Sequence, residues 1–160
     1  MPNAISNTSP LLYLYRIKAL HLLPKLFDEI WIPDAVKSEL FHGQSRGYDV
    51  PVPDDFKWLQ IVNPKSLPSE WLALDLGPGE VAAMSLGLEN PTNVILLDDM
   101  LARRTAQAAG LPVWGTLKIL LEAKSQGMID RVEPFIVRLN ESGMWISADL
   151  KRRILALAGE

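Results

Sequence analysis

The feature that most constrains this chain is Val94-Ile95-Leu96-Leu97, four aliphatic residues in a row that stop at Asp98-Asp99. A continuous β-branched and aliphatic run of that length marks a strand buried on both faces. Its surroundings read as helices. Leu76-Gly77-Pro78-Gly79-Glu80 is a breaker cluster that launches a helix through about Leu88. A second helix runs from Met100 to Ala109 and is ended by Gly110 as a residue suited to left-handed backbone.

The same alternation extends in both directions. Asn3-Ala4-Ile5-Ser6 is a short strand, and Asn7-Thr8-Ser9-Pro10 reads as a helix start with a hydroxyl cap and Pro at the first helical position. Leu20 to Phe27 suggests a short helix interrupted near Pro24, and Ile30-Trp31-Ile32 a buried strand. Pro33 to Phe41 is expected to be helical, with Val36 and Leu40 one turn apart on its inner face. Residues 42–55 are rich in Gly, Pro and polar side chains and read as a surface loop, followed by a strand near Trp58 to Val62. Leu111-Pro112-Val113 is a short strand, and helices follow over Thr116 to Gln126, Ile129 to Leu139 and Ala148 to Ala158. Alternating strands and helices imply an α/β fold with a mainly parallel central sheet and helices on both faces. No repeat or linker divides the 160 residues, so one domain is expected, with a helical tail over about residues 140–160.

Composition narrows the chemistry. With 48% apolar and 22% charged residues the chain is an ordinary globular one, and no apolar run approaches the length of a bilayer span. The N-terminus lacks a basic start and long apolar stretch, and there are no cysteines, so a cytoplasmic protein without disulfides, Cys-ligated zinc or a catalytic thiol is expected. His21 and His42 are the only histidines and lack zinc-binding spacing, and no Gly-x-Ser-x-Gly elbow exists. The net charge of −3 argues against a protein that coats nucleic acid, though not against an enzyme approaching it through divalent cations.

In an open parallel sheet, ligands bind outside the carboxyl ends of the strands. Asn7 and Asp98 fall at such ends, and Glu39 and Glu80 sit on helices beside their apolar faces. Four oxygen-bearing side chains without sulfur or imidazole suit Mg²⁺ or Mn²⁺, which can activate water and stabilise an in-line phosphoryl displacement. Each has a plainer explanation. Glu80 complements a helix dipole, Glu39 is an ordinary solvated helix position, and either aspartate can cap the following helix. Asp99 lies four residues before Arg103, the spacing of a surface ion pair, which makes Asp99 the structural acid and Asp98 the pocket acid. Asn7-Thr8-Ser9 matches a glycosylation acceptor, an accidental match in a cytoplasmic chain.

Asn7-Thr8-Ser9-Pro10-Leu11-Leu12, the stretch Leu76 to Ala83, the stretch Leu97 to Arg104 and the stretch Gly110 to Leu117 together resemble, in order and spacing, a PIN-like family related to VapC-type toxins. The resemblance runs over nearly the whole chain. It implies a three-layer α/β/α fold and an acidic Mg²⁺ or Mn²⁺ pocket that cleaves RNA. It also implies a small antitoxin partner and a homodimer. The family's acids map onto Asn7, Glu39, Glu80 and Asp98, with Ser9 matching a hydroxyl that helps hold the first of them and Thr116 lining the pocket. Arg103, Arg104 and Lys118 are candidates for phosphate contact, or simply solvated helix residues. Asn7 departs from the family's Asp: its amide oxygen can coordinate a cation but carries no charge and cannot act as a base. A catalytically quiet module that binds RNA or protein is therefore the rival reading. A phosphoacceptor receiver domain is a third; it would want a paired acid after its first strand, where this chain has Asn7-Thr8.

Overall fold

Five short strands form the sheet: β1 (Ala4–Ser6), β2 (Ile30–Ile32), β3 (Leu59–Ile61), β4 (Val94–Leu96) and β5 (Val113–Trp114). The computed structural model describes all residues 1–160. Every pairing is parallel, in the order β3-β2-β1-β4-β5. The chain builds outward from β1 to β3, crosses back to place β4 against β1, and then adds β5. The direction of winding reverses between β1 and β4, so a crevice opens at their carboxyl ends.

Strand periodicity divides the core into two layers. Ala4, Ile30, Ile32, Val94 and Leu96 face one cluster, while Ile5, Ile95 and Leu97 face the other. The first is covered by α1 (Thr8–Arg16), α2 (Leu23–Leu26), α3 (Asp34–Ser45), α7 (Thr116–Ser125), α8 (Glu133–Glu141) and α9 (Ala148–Leu157). The second is covered by α4 (Ser69–Leu72), α5 (Pro78–Glu89) and α6 (Met100–Ala108). This is the expected three-layer α/β/α arrangement with a parallel sheet, and β4 is buried on both faces. No helix is long and apolar enough to cross a membrane.

Helix α5 is buried nearly all round, from Val81 to Gly87. Gly87 is the point of closest approach to the sheet: a Cβ there would lie 2.5 Å from the Ile95 Cδ1 methyl. The small residues Ala82, Ala83, Ser85 and Gly87 let the helix sink onto β4, which carries its first turn to the crevice.

Several boundaries differ from the sequence reading. Thr8 is the first residue of α1 and Pro10 the third, and Asn7 precedes the helix in extended conformation without a side-chain cap bond. Proline is tolerated there because the first-turn N–H groups have no helical partner anyway. Helix α3 continues past Phe41 through Gly43 to Ser45, since Val50 folds back over Gly43 and covers that turn. Helix α8 begins at Glu133 rather than Ile129, because the Glu160 carboxylate accepts the N–H groups of Val132 and Glu133 and defines the helix start. The last strand is Val113–Trp114 rather than the expected Leu111 to Val113, and Pro112, which cannot donate to a ladder, lies just before it. The short helix α4 was not anticipated.

Candidate active site

The crevice between β1 and β4 is bridged by the backbone: the Asn7 N–H donates to the Leu96 carbonyl at 3.1 Å. That bond places the Asn7 side chain in the crevice mouth, only 5% exposed, with Oδ1 lacking any hydrogen-bond partner. A buried amide oxygen with nothing to accept is costly and calls for an explanation.

Glu39 approaches from α3. One carboxylate oxygen accepts the Thr8 hydroxyl and the other accepts the Gly79 N–H at 2.9 Å. The N-terminus of α5 thus holds a carboxylate from another helix, where the orphan N–H groups and the dipole favour negative charge. Gly79 makes the approach possible. A Cβ there would lie 2.7 and 2.8 Å from the Glu39 oxygens and 3.0 Å from Asn7 Oδ1, which also shows that Glu39 and Asn7 converge on one point.

Glu80 occupies the third position of α5. Its Oε1 accepts the Gly77 N–H at 3.1 Å, closing a capping arrangement, and its Oε2 is buried without a partner. Burial pushes the Glu80 carboxyl above the usual glutamate range; the Gly77 bond opposes this, and the negative charges of Asp99 and Glu39 add to it. Glu80 is thus a first-turn residue that complements the helix dipole, with its carboxyl also within reach of the charges of Asp99 and Glu39.

Of the two aspartates after β4, Asp99 caps the next helix as expected, while Asp98 is held by two bonds from Thr116. Asp98 accepts the Thr116 N–H on Oδ1 and the Thr116 hydroxyl on Oδ2, each at 2.8 Å, with the Arg103 guanidinium alongside. Burial pushes its carboxyl up from the usual aspartate range, against the pull of those two bonds and of Arg103. Gly115 leaves room for this group, since a Cβ there would meet Arg103 Nη1 at 2.8 Å and Asp98 Oδ1 at 3.1 Å. Asp99 caps α6 by accepting the Ala102 N–H at 3.0 Å, yet it is also the carboxylate that acts on Glu80. The expected Asp99–Arg103 ion pair is absent. The capping bond turns Asp99 toward its own backbone, and Arg103 lies against Asp98 instead.

Other placements follow. Ser9 makes no hydrogen bond to Asn7; it lines a cleft with Asp98, Asp99 and Arg103, and the holding hydroxyl is that of Thr8, directed at Glu39. Thr116 does reach the site, as the partner of Asp98. Arg104 and Lys118 line a neighbouring groove on α6 and α7. Lys118 pairs with Glu122 at 3.0 Å and lies 5.5 Å above the Trp114 ring. Thr8 and Gly79 are the residues that sequence reasoning missed, and only their position after β1 and before Glu80 hinted at them; Asp99, read as a structural cap, also bears on Glu80 through its charge.

As placed, no three acidic, histidine or cysteine side chains stand close enough to enclose a cation by themselves. The convergent groups are the Glu39–Asn7 pair and the neighbouring Glu80 and Asp99. A family model described as a PIN domain matches residues 3–160. PIN domains are in general divalent-cation-dependent nucleases that bind RNA. No curated protein matches the chain.

Proposed function

The chain belongs to the PIN-domain family, and on that premise we propose that it is a single-domain ribonuclease dependent on Mg²⁺ or Mn²⁺. The observation that carries this reading is the pair of buried, unpartnered oxygens, Asn7 Oδ1 and Glu80 Oε2, in the neighbourhood of the fixed Glu39 carboxylate. Acceptor oxygens without donors fit a cation. Their hardness fits Mg²⁺ or Mn²⁺, and Mg²⁺ is usually held by only one or two carboxylates while keeping several waters. Glu39, Glu80 and Asn7 would hold the cation, with Asp98 and Asp99 completing the negative rim.

Bound there, the cation would supply positive charge to a phosphodiester as negative charge builds up on its oxygens. The chain's own residues set the stage for that. Thr8 and Gly79 lock the Glu39 rotamer, and Gly77 locks that of Glu80. Thr116 holds Asp98 beside Arg103, whose guanidinium has donors to spare for a phosphate oxygen. Asn7 donates no negative charge and takes no proton, so it orients rather than activates.

The family expectation of a toxin paired with a small antitoxin, acting as a homodimer in the cytoplasm, belongs to the same reading. A second reading, a catalytically quiet RNA- or protein-binding module, is favoured by Asn7 alone. Incubating mixed RNA with the purified chain and Mn²⁺ decides between them. Cleavage by the wild type that is lost in Glu39→Gln, Glu80→Ala and Asp98→Ala supports the ribonuclease. Cleavage that survives all three sinks the assigned site. No cleavage by the wild type, with cleavage gained by Asn7→Asp, supports the quiet module. Growth arrest on expression, relieved by the product of an adjacent small reading frame, tests the toxin role.

A further inference from the structure

The segment that leads into α5 is held far more loosely than the helix itself. It sets out from the end of α5, where the Glu89 carboxylate accepts the Lys65 N–H at 2.8 Å and the Ser66 N–H at 3.4 Å. It returns to the start of the same helix at Gly77. Between those points its backbone hydrogen bonds close within the segment: Trp71 and Leu72 donate to the Pro68 carbonyl, and Leu74 to that of Trp71. Glu70 and Asp75 form no ion pair.

Side-chain anchorage is equally sparse. From Lys65 to Asp75 the one buried residue is Trp71, 7% exposed, while Leu67, Leu72 and Leu74 stand out in water. Trp71 enters the second core layer with Ile5, Val81 and Ile95, and Leu76 packs partly against the edge of that layer. A segment with one large buried side chain and no bonds outward lies at the low end of local stability, so its position depends on that side chain.

The consequence falls on the acidic pair. The Gly77 N–H holds Glu80 Oε1 at 3.1 Å, and the Gly79 N–H holds Glu39 Oε1 at 2.9 Å. Both belong to the opening of α5, where N–H groups have no partner within the helix and are aimed by the chain that enters it. Pro78 between them has no N–H to give, and the two glycines bring the widest backbone freedom of any residue. Burial fixes α5 from Val81 to Gly87, whereas its entry leans on what precedes it.

We propose that Trp71 is a positioning residue for the acidic pocket. By pinning residues 65–77 to the second core layer, it aims the Gly77 and Gly79 N–H groups at Glu80 and Glu39. The inference rests on the ribonuclease reading for the purpose of those carboxylates, which is to hold a cation. The aiming itself is a property of the fold.

The test uses the full chain and two readouts, amide exchange in EDTA and Mn²⁺ affinity by calorimetry. Trp71→Ala should speed exchange at Gly77 and Gly79 while Ile5 and Ile95 keep wild-type protection. Its Mn²⁺ binding should weaken about tenfold, as when a group that orients metal ligands is lost. Trp71→Phe, with a ring still in the core layer, should restore most of both. Leu72→Ser, an exposed change on the same short helix, should alter neither. If Trp71→Ala does not fold, Trp71→Leu carries the same test with smaller effects in the same directions. Exchange that speeds equally at Ile95 and at the glycines marks Trp71 as core filler and overturns the proposal. A wild type that binds Mn²⁺ and cuts RNA, matched in both by Trp71→Ala, overturns this inference alone. A wild type that binds no Mn²⁺ sinks the ribonuclease reading. Selective exchange at the two glycines then upholds the positioning, and unchanged exchange overturns it.

Discussion

Thr116 donates twice to Asp98, backbone N–H to one oxygen and hydroxyl to the other, joining the end of β4 to the first turn of α7. The two residues are 18 positions apart, and the bonds are short enough, at 2.8 Å, to hold a buried carboxylate against its desolvation. Replacing Thr116 by Val keeps the shape and the backbone bond but removes the hydroxyl. The expected loss is about 1.5–3 kcal/mol of unfolding free energy, the range for a hydrogen bond to a charged group. Urea denaturation measures it, and a change within a few tenths of that of an exposed Thr→Val control would contradict this account.

Gly79 bears on chemistry more than on stability. The methyl of Gly79→Ala would press on both Glu39 oxygens and Asn7 Oδ1, so Glu39 must leave the Gly79 N–H. RNA cleavage should fall on the order of tenfold to a hundredfold, as expected for a displaced catalytic group. Divalent-cation binding by calorimetry should weaken in parallel. A variant with full activity and unchanged cation affinity would show that Glu39 need not be held by the Gly79 N–H at the start of α5.

Asn7→Asp separates charge from geometry. The new carboxylate would stand beside that of Glu39, since both groups converge on Gly79. Without divalent cations the variant should be less stable than the wild type, by on the order of 1–4 kcal/mol for like charges at close range. With Mg²⁺ the order should reverse, because a cation bound only to the folded state stabilises it. Thermal melting with and without Mg²⁺ reads both signs. A Mg²⁺-induced rise in Tm no larger than that of the wild type would argue that Asn7 does not face the cation.

Glu160 predicts a pH dependence of the fold. Its side chain is 9% exposed and pairs with Lys124 at 3.0 Å. Burial pushes its carboxyl up, but the N–H groups of Val132 and Glu133 and the Lys124 ammonium together hold it below the usual glutamate range. A carboxyl lowered on folding stabilises the fold above its unfolded pKa, and that stability fades as pH falls through the lower, folded value. Glu160→Gln should therefore be less stable than the wild type at neutral pH, and the gap should narrow as the solution is acidified below about pH 4.5. A gap that stays constant across that range would leave hydrogen bonding alone as the cause.

Much of the fold was legible in sequence. The run Val94 to Leu97, the stop at Gly110 with φ +80° and the breaker cluster before Glu80 mark elements that the structure contains within a residue or two. The errors share one cause. Helix α3 extends because Val50 covers Gly43, and α8 starts where the Glu160 carboxylate caps it. The expected Asp99–Arg103 ion pair fails because Arg103 lies against Asp98, which Thr116, 18 residues further on, holds in place. Each error turns on a partner outside the window that local pattern can read.

The sequence by itself determined the alternation of strands and helices, the polar groups at two strand ends and the family, all of which follow from neighbours along the chain. Tertiary structure alone decided that β4 returns beside β1, that α5 settles onto it at Gly87, and that Glu39 lands on the N–H of Gly79. The physical reason is range. Periodicity is a property of adjacent residues, whereas a carboxylate's partners are chosen by whichever surfaces pack together once the core has formed.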